Sequence, residues 1–224
     1  MLSTKTEYRL IFMIMKKIFA LILIFGLKVG FSQDTIRIQH TNYTTVFDKS
    51  KKYPILVEWW TTTAKVSCKT PLKRKDNFKP DPKLPIETDI AKDYVNSGKD
   101  RGHMMPAADN LCQTQQIQDE SFYFSNMSAQ YHRLNAGDWK SLEVFVRNEA
   151  SIKDSIKVWA GNLGEIEKIG RVSVPKQCWK VIYIKKENKY RGFLFENDLS
   201  TPNGFQDNEV PLEKLEKLTG FKFR

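Results

Sequence analysis

The sequence predicts an α+β fold with a mixed or antiparallel central sheet and flanking helices. Thr35–His40 alternates apolar and polar residues, the period of a half-buried strand, and further short strand-like runs lie toward both ends of the chain. Between them, residues 135–150 carry apolar side chains three and four apart, the period of a helix with one buried face. A polar turn, Glu187-Asn188-Lys189, joins two of the strand-like runs as a hairpin would. The 224 residues suit one domain or at most two small ones, and no repeat or low-complexity linker divides them. A composition of 41% hydrophobic and 28% charged residues, with 11 Gly and 9 Pro, excludes collagen-like and broadly disordered classes.

Taken in order, the chain starts with Lys16 and Lys17 ahead of an apolar run from Ile18 to Leu27. Gly30 and Ser32 follow as small residues. This is the pattern of a secretory signal peptide over residues 1–32, cleaved near Ser32, and too short for the roughly 20 residues of a membrane span. The expected product, residues 33–224, is one domain, secreted or periplasmic, with no membrane attachment after cleavage. Residues 1–32 carry a net +4 of the chain's +10, which leaves the remainder at +6 and attractive to polyanions.

Thr35–His40, Thr44–Phe47 and Ile55–Thr62 read as strands. Residues 64–88 hold six lysines, Arg74 and four prolines, and predict an exposed, extended basic loop. A helical turn is expected at Ile90–Tyr94 and a short polar helix at Gln113–Ser121. In the helix over Asn135–Ala150, the buried stripe is Trp139, Leu142, Phe145, Val146 and Ala150. Lys157–Ala160, Cys178–Ile184 and Tyr190–Phe195 read as strands. A terminal helix over Leu212–Leu218 stops at Gly220. Cys68, Cys112 and Cys178 form no CxxC pair, which excludes a zinc ribbon and allows at most one internal disulfide.

Histidine is the usual proton acceptor near neutral pH, and the chain has three. His40 ends a plain strand pattern and reads as structural. His132 lies in a polar stretch and reads as solvated or hydrogen-bonded. His103 closes Asp100-Arg101-Gly102-His103, where an acid, a base and an imidazole adjoin a glycine that permits close backbone approach. By itself this run is as well explained by a loop pinned by an Asp–Arg pair. Glu143 and Arg147 are four apart on the predicted helix, the spacing of a surface ion pair worth roughly a few tenths of a kcal/mol. Asn135 stands where a helix N-cap would.

Taken together, these segments resemble the DNA/RNA non-specific endonucleases of the ββα-metal, or His-Me finger, group. The resemblance rests on Asp100–His103 followed by Met-x-Pro-Ala, on Asn126, on Asn135 with Gly137 and Trp139, and on Leu142-Glu143. Cys178–Val181, Phe193–Phe195 and 213–220 continue it, so that it covers nearly all of the chain after residue 32. Where family members usually have Pro-Gln after the asparagine motif, this chain has Ser128-Ala129-Gln130.

The resemblance implies a ββα-metal motif with the histidine on a β-hairpin and the metal asparagine at the start of the crossing helix. His103 would be the general base, and Asn135 the one direct protein ligand of Mg²⁺, with Mn²⁺ as a substitute. Glu143 would hold a water of the ion's shell. Arg101, Arg147 and, from the basic loop, Arg74 would meet the phosphate. Asn126 would be a site asparagine that orients groups, and Asp100 a partner behind the site. The implied activity is hydrolysis of DNA and/or RNA with little sequence preference. Three other readings stand beside it: a nucleic-acid-binding protein on the same fold without catalysis, a phosphodiesterase for another substrate, and an exported structural protein, which requires the motif order to be coincidental.

Overall fold

Among the described residues, eleven strands follow one another along the chain. They are β1 (Thr35–Gln39), β2 (Tyr43–Asp48), β3 (Tyr53–Thr62), β4 (Asp100–His103), β5 (Met127–Gln130) and β6 (Ser155–Leu163), then β7 (Glu167–Ile169), β8 (Val172–Val174), β9 (Gln177–Ile184), β10 (Lys189–Glu196) and β11 (Glu209–Val210). The longer helices are α1 (Gln115–Glu120), α2 (Lys140–Lys153) and α3 (Leu212–Thr219). The computed structural model describes residues 34–200 and 203–224, and the expected signal peptide lies outside the described residues. No helix among the described residues is long and apolar enough to cross a membrane.

Seven strands form one antiparallel sheet in the order β1-β2-β3-β6-β9-β10-β11. Both faces of its centre are covered, which is why β9 is buried at nearly every position. Cys178, Ile182 and Ile184 join a core with Trp139, Leu142, Val146 and Ala150 of the α2 side. Trp179 and Val181 alternate to the opposite face and pack with Leu212, Leu215 and Phe223 of the α3 side. The helix stripe read from the sequence is therefore the face that docks on the sheet, with Phe145 half-buried at its edge. Gly220 ends α3 at φ +74°, where its N–H caps the Glu216 carbonyl.

β4 and β5 form a separate antiparallel pair, His103 opposite Met127 and Asp100 opposite Gln130. With α2 they make the expected ββα arrangement. A Cβ on Gly102 would lie 1.9 Å from Gln130 Oε1 across this pair, so the glycine is required for space, at an ordinary φ.

Several expectations need correction. The segment at 135–150 is a helix, but its start is distorted. His132–Leu134 is one turn, Asn135–Trp139 is a wider π-type turn bent at Gly137 (φ −98°, ψ −114°), and α2 then runs on to Lys153. Asn135 has helical dihedrals (φ −58°, ψ −48°) and is not an N-cap. The basic loop is not wholly exposed: Asp81, Leu84 and Thr88 are buried. Asp81 accepts from Ser125 Oγ at 2.5 Å and lies 3.0 Å from His40 Nε2, so His40 is structural by fastening this loop to the sheet.

Cys68 is bonded to Cys112, and Cys178 is free and buried. The closed loop contains Arg74, Arg101 and His103. Replacing both bonded cysteines with serine is expected to lower stability by about 4 kcal/mol, the unfolded-chain entropy released for a sequence separation of 44. A denaturant titration reads this as a lower midpoint. An unchanged midpoint would show that the unfolded chain keeps this segment compact without the bond, so that the bond removes little entropy.

Candidate active site

One cavity of about 340 Å³ is lined by His103, Asn135, Glu143, Arg147, Arg74 and Arg101. Residues up to 73 positions apart in sequence thus meet at the junction of β4, the long loop and the start of α2. Trp139 Nε1 donates to the His103 carbonyl at 3.0 Å and locks the helix start to the hairpin. A second cavity, also about 340 Å³, shares Arg74, Arg101 and Asn135 with the first and extends the cleft past Phe78, Tyr94 and Lys99.

His103 packs its ring edge-on against Phe122, with centroids 4.9 Å apart, and beside Phe78 at 5.5 Å. Its Nε2 is buried and has no hydrogen-bond partner. Burial, then the Arg74 charge, push the imidazole down to about 3; Asp76 opposes this and Arg101 adds a smaller push downward. It is therefore neutral at physiological pH and free to accept a proton. A phosphodiester bound between the two arginines would offset their share of the depression and make the ring more basic when substrate is present.

Asn135 Nδ2 donates to Asp100 Oδ2 at 2.8 Å. An ionised carboxylate only accepts, so the amide must turn its NH₂ toward Asp100 and its Oδ1 away. The same Asp100 oxygen lies 2.8 Å from Nδ1 of the exposed His132. Asp100 is thus the orienting partner behind Asn135, and His132 is both solvated and hydrogen-bonded.

Glu143 and Arg147 do not simply pair with each other. Arg147 Nη1 lies 3.3 Å from Asp109 Oδ1, and Asp109 is itself buried and held by Trp59 Nε1 at 2.9 Å and Thr61 Oγ1 at 2.6 Å. Glu143 Oε1 lies 3.6 Å from Nζ of Lys180, a buried residue of β9. Burial pushes the Glu143 carboxyl up to about 7, although Lys180 and Arg147 pull it down. Sequence reasoning gave no role to Lys180 or Asp109. The signal for Lys180 was present: it is a charge at an inward position of the run Cys178-Trp179-Lys180-Val181-Ile182.

Arg101 stacks on Phe78, with Cζ 4.0 Å from the ring centroid. Arg74 lies over Phe122 at 5.4 Å, bonds Asp76 at 2.6 Å and lines the cavity, so this residue of the basic loop reaches the cleft. Asn126 does not. It is fully buried, its Nδ2 donates to the carbonyls of Met105 and Ser121, and its Oδ1 accepts from Met105 N, each at 2.8–2.9 Å. Its place among the catalytic side chains gives way to a backbone clamp that fixes the turn after His103.

The donors facing the cleft suit a hard divalent ion. They are an amide oxygen and a carboxylate, and no group of three His, Cys, Asp or Glu that could hold a metal occurs among the described residues. Such a set fits a hard divalent ion that keeps most of its waters, and Asn135 and Glu143 are the residues that would hold it.

A family model described as DNA/RNA non-specific endonuclease matches residues 23–224. The chain is 30% identical to "Nuclease EXOG, mitochondrial" of Xenopus laevis over 211 residues, 83% of this chain and 57% of that one. It is 31% identical to the human protein of the same name over 206 residues, 82% of this chain and 55% of the relative. A Nostoc sp. nuclease is 31% identical over 166 residues, 67% of this chain and 60% of its own length. The chain therefore spans a little over half the length of these curated relatives. Among solved structures, the one titled "Crystal structure of the EndoG/EndoGI complex: Mechanism of EndoG inhibition" aligns with a TM-score of 0.74 and 27% identity. The alignment covers 88% of this chain and 89% of that one. By its matched length and its fold, the chain belongs to the DNA/RNA non-specific endonuclease family.

Proposed function

We propose that this protein is a metal-dependent endonuclease that hydrolyses phosphodiester bonds of DNA and RNA with little sequence preference. The observation that carries this reading is the meeting of His103, Asn135, Glu143 and three arginines on one cavity. The buried, unpartnered Nε2 of His103 accepts the proton of an attacking water. Arg101, Arg147 and Arg74 hold the phosphate, whose added charge in the transition state their planar donors stabilise. These contacts address the backbone rather than base edges, which accounts for low sequence preference. Asn135, oriented by Asp100, would hold Mg²⁺ or Mn²⁺ with Glu143 nearby. When bound, the ion supplies Lewis-acid stabilisation of the phosphate and the leaving 3′ oxygen.

Export is part of the proposal. It is supported by the charge and apolar pattern of residues 1–32 and by the Cys68–Cys112 bond, which suits an oxidising compartment.

The test is digestion of plasmid DNA and of RNA by purified residues 33–224. Both are expected to be cut internally with Mg²⁺ present, and neither after chelation with EDTA. Salt-sensitive binding without cleavage would favour the non-catalytic reading. Cleavage of another phosphodiester but not of nucleic acid would favour the third. Protein recovered outside the cytoplasm is expected to begin within a few residues of position 33.

A further inference from the structure

Lys180 sits where the packing of the sheet calls for an apolar side chain. It lies at the middle of β9, between Cys178 and Ile182 on the face that joins the α2 core. The residue is 1% exposed. Its Nζ makes no hydrogen bond, stands 3.9 Å from the Trp139 ring centroid and lies 3.6 Å from Glu143 Oε1. A buried ammonium with one carboxylate and one aromatic face is an expensive way to fill a core, because neither partner replaces the lost water in full. Burial accordingly lowers its proton affinity, while Glu143 and Asp109 oppose that effect and Arg147 adds to it. The carboxylate it faces opens on the cleft.

We propose that Lys180 is a positioning residue for hydrolysis, acting through Glu143. It faces Glu143 from beneath the cleft floor and holds the carboxylate toward the cavity, while Trp139 fixes the ammonium from one side. Trp139 also grips the His103 backbone, so one side chain braces both the proton acceptor and the Glu143 anchor. Asp109 continues the alternation of charge beneath the cleft and holds Arg147 in the same manner. The inference rests on the nuclease reading.

The experiment compares Lys180→Met, Glu143→Gln and the double variant in steady-state cleavage with Mg²⁺. Lys180→Met is expected to lower kcat by about 10- to 100-fold with KM changed little, as for other groups that orient a metal-site carboxylate. In the Glu143→Gln background the same substitution is expected to change kcat by less than about twofold, because its target is already gone. A purely structural role would instead cost the same factor in both backgrounds, and that result overturns the proposal. So does a Lys180→Met enzyme with wild-type kcat. Should Lys180→Met fail to fold with Glu143 left unpaired, the double variant, which buries no charge at either position, is compared with Glu143→Gln alone. Equal rates support the proposal and a further loss refutes it. Absence of cleavage by the wild type would be a failure of the nuclease reading, which the wild-type control separates from these outcomes.

Discussion

His103→Ala is expected to reduce cleavage of DNA and RNA by about a thousandfold while the protein stays folded. General-base catalysis contributes about 10²–10⁴-fold, and no second histidine lines the cavity to replace it. A residual rate is expected because Arg74, Arg101 and Arg147 still line the cavity and would bind the phosphate, with Asn135 still there to hold an ion. Added imidazole should restore part of the activity, since the substitution empties a space bounded by Phe78 and Phe122. Full activity in the variant would remove the general base from the mechanism. A second readout needs no substrate. The buried ring is pushed down to about 3, against about 6.5 in an unfolded chain. Between those values the unfolded chain binds a proton that the folded protein does not. This contribution to stability is therefore present above about pH 6.5 and is lost as pH falls toward 3. Thermal melts across that window should show wild type losing stability with acid more steeply than His103→Ala.

The parts of this molecule that local pattern dictates were legible in the sequence. The α2 stripe and the long strands were found because burial repeats at a fixed period in each. The pairing of β4 with β5 was not legible from pattern alone. Each strand is four residues long, residues 104–126 lie between them, and nothing in so short a run reports a distant partner. The Cys68–Cys112 bond was one of three pairings that the sequence left open. Asp81 shows a different limit: an acid in a proline-rich, basic stretch reads as solvated, yet Ser125 and His40 bury it. The candidate site residues were singled out by the joint order of short motifs, and six of them line one cavity. What those motifs could not convey is which residues work at the cleft and which stand behind it. Asn126, Asp109 and Lys180 are all buried polar groups, and what tells them apart is that Asn126 meets backbone, Asp109 an arginine and Lys180 a carboxylate among their partners.

Asn135→Ala is expected to cut kcat about a thousandfold and to abolish the response of the rate to Mg²⁺ in the range where wild type saturates. The stabilisation at stake is several kcal/mol of developing phosphate charge, and each 1.4 kcal/mol is about tenfold in rate. The more telling variant is Asn135→Asp. A carboxylate binds divalent ions at least as well as an amide in isolation, so a reading of Asn135 as an oxygen donor alone predicts that Asp will serve. The geometry predicts that it will not. Asn135 is held by donating Nδ2 to Asp100 Oδ2, and an aspartate there offers no donor and faces a like charge at the same distance. The side chain should turn away or take up a proton, and Mg²⁺ should be required at a much higher concentration. Replacing Asp100 by Asn in that background returns an NH₂ group for the new carboxylate to accept from, and should recover part of the lost rate. Recovery in the double variant, measured as rate against Mg²⁺ concentration, would establish that Asp100 acts by orienting residue 135. An Asn135→Asp enzyme with wild-type Mg²⁺ dependence would show that the Asp100 contact has no part in placing the ion.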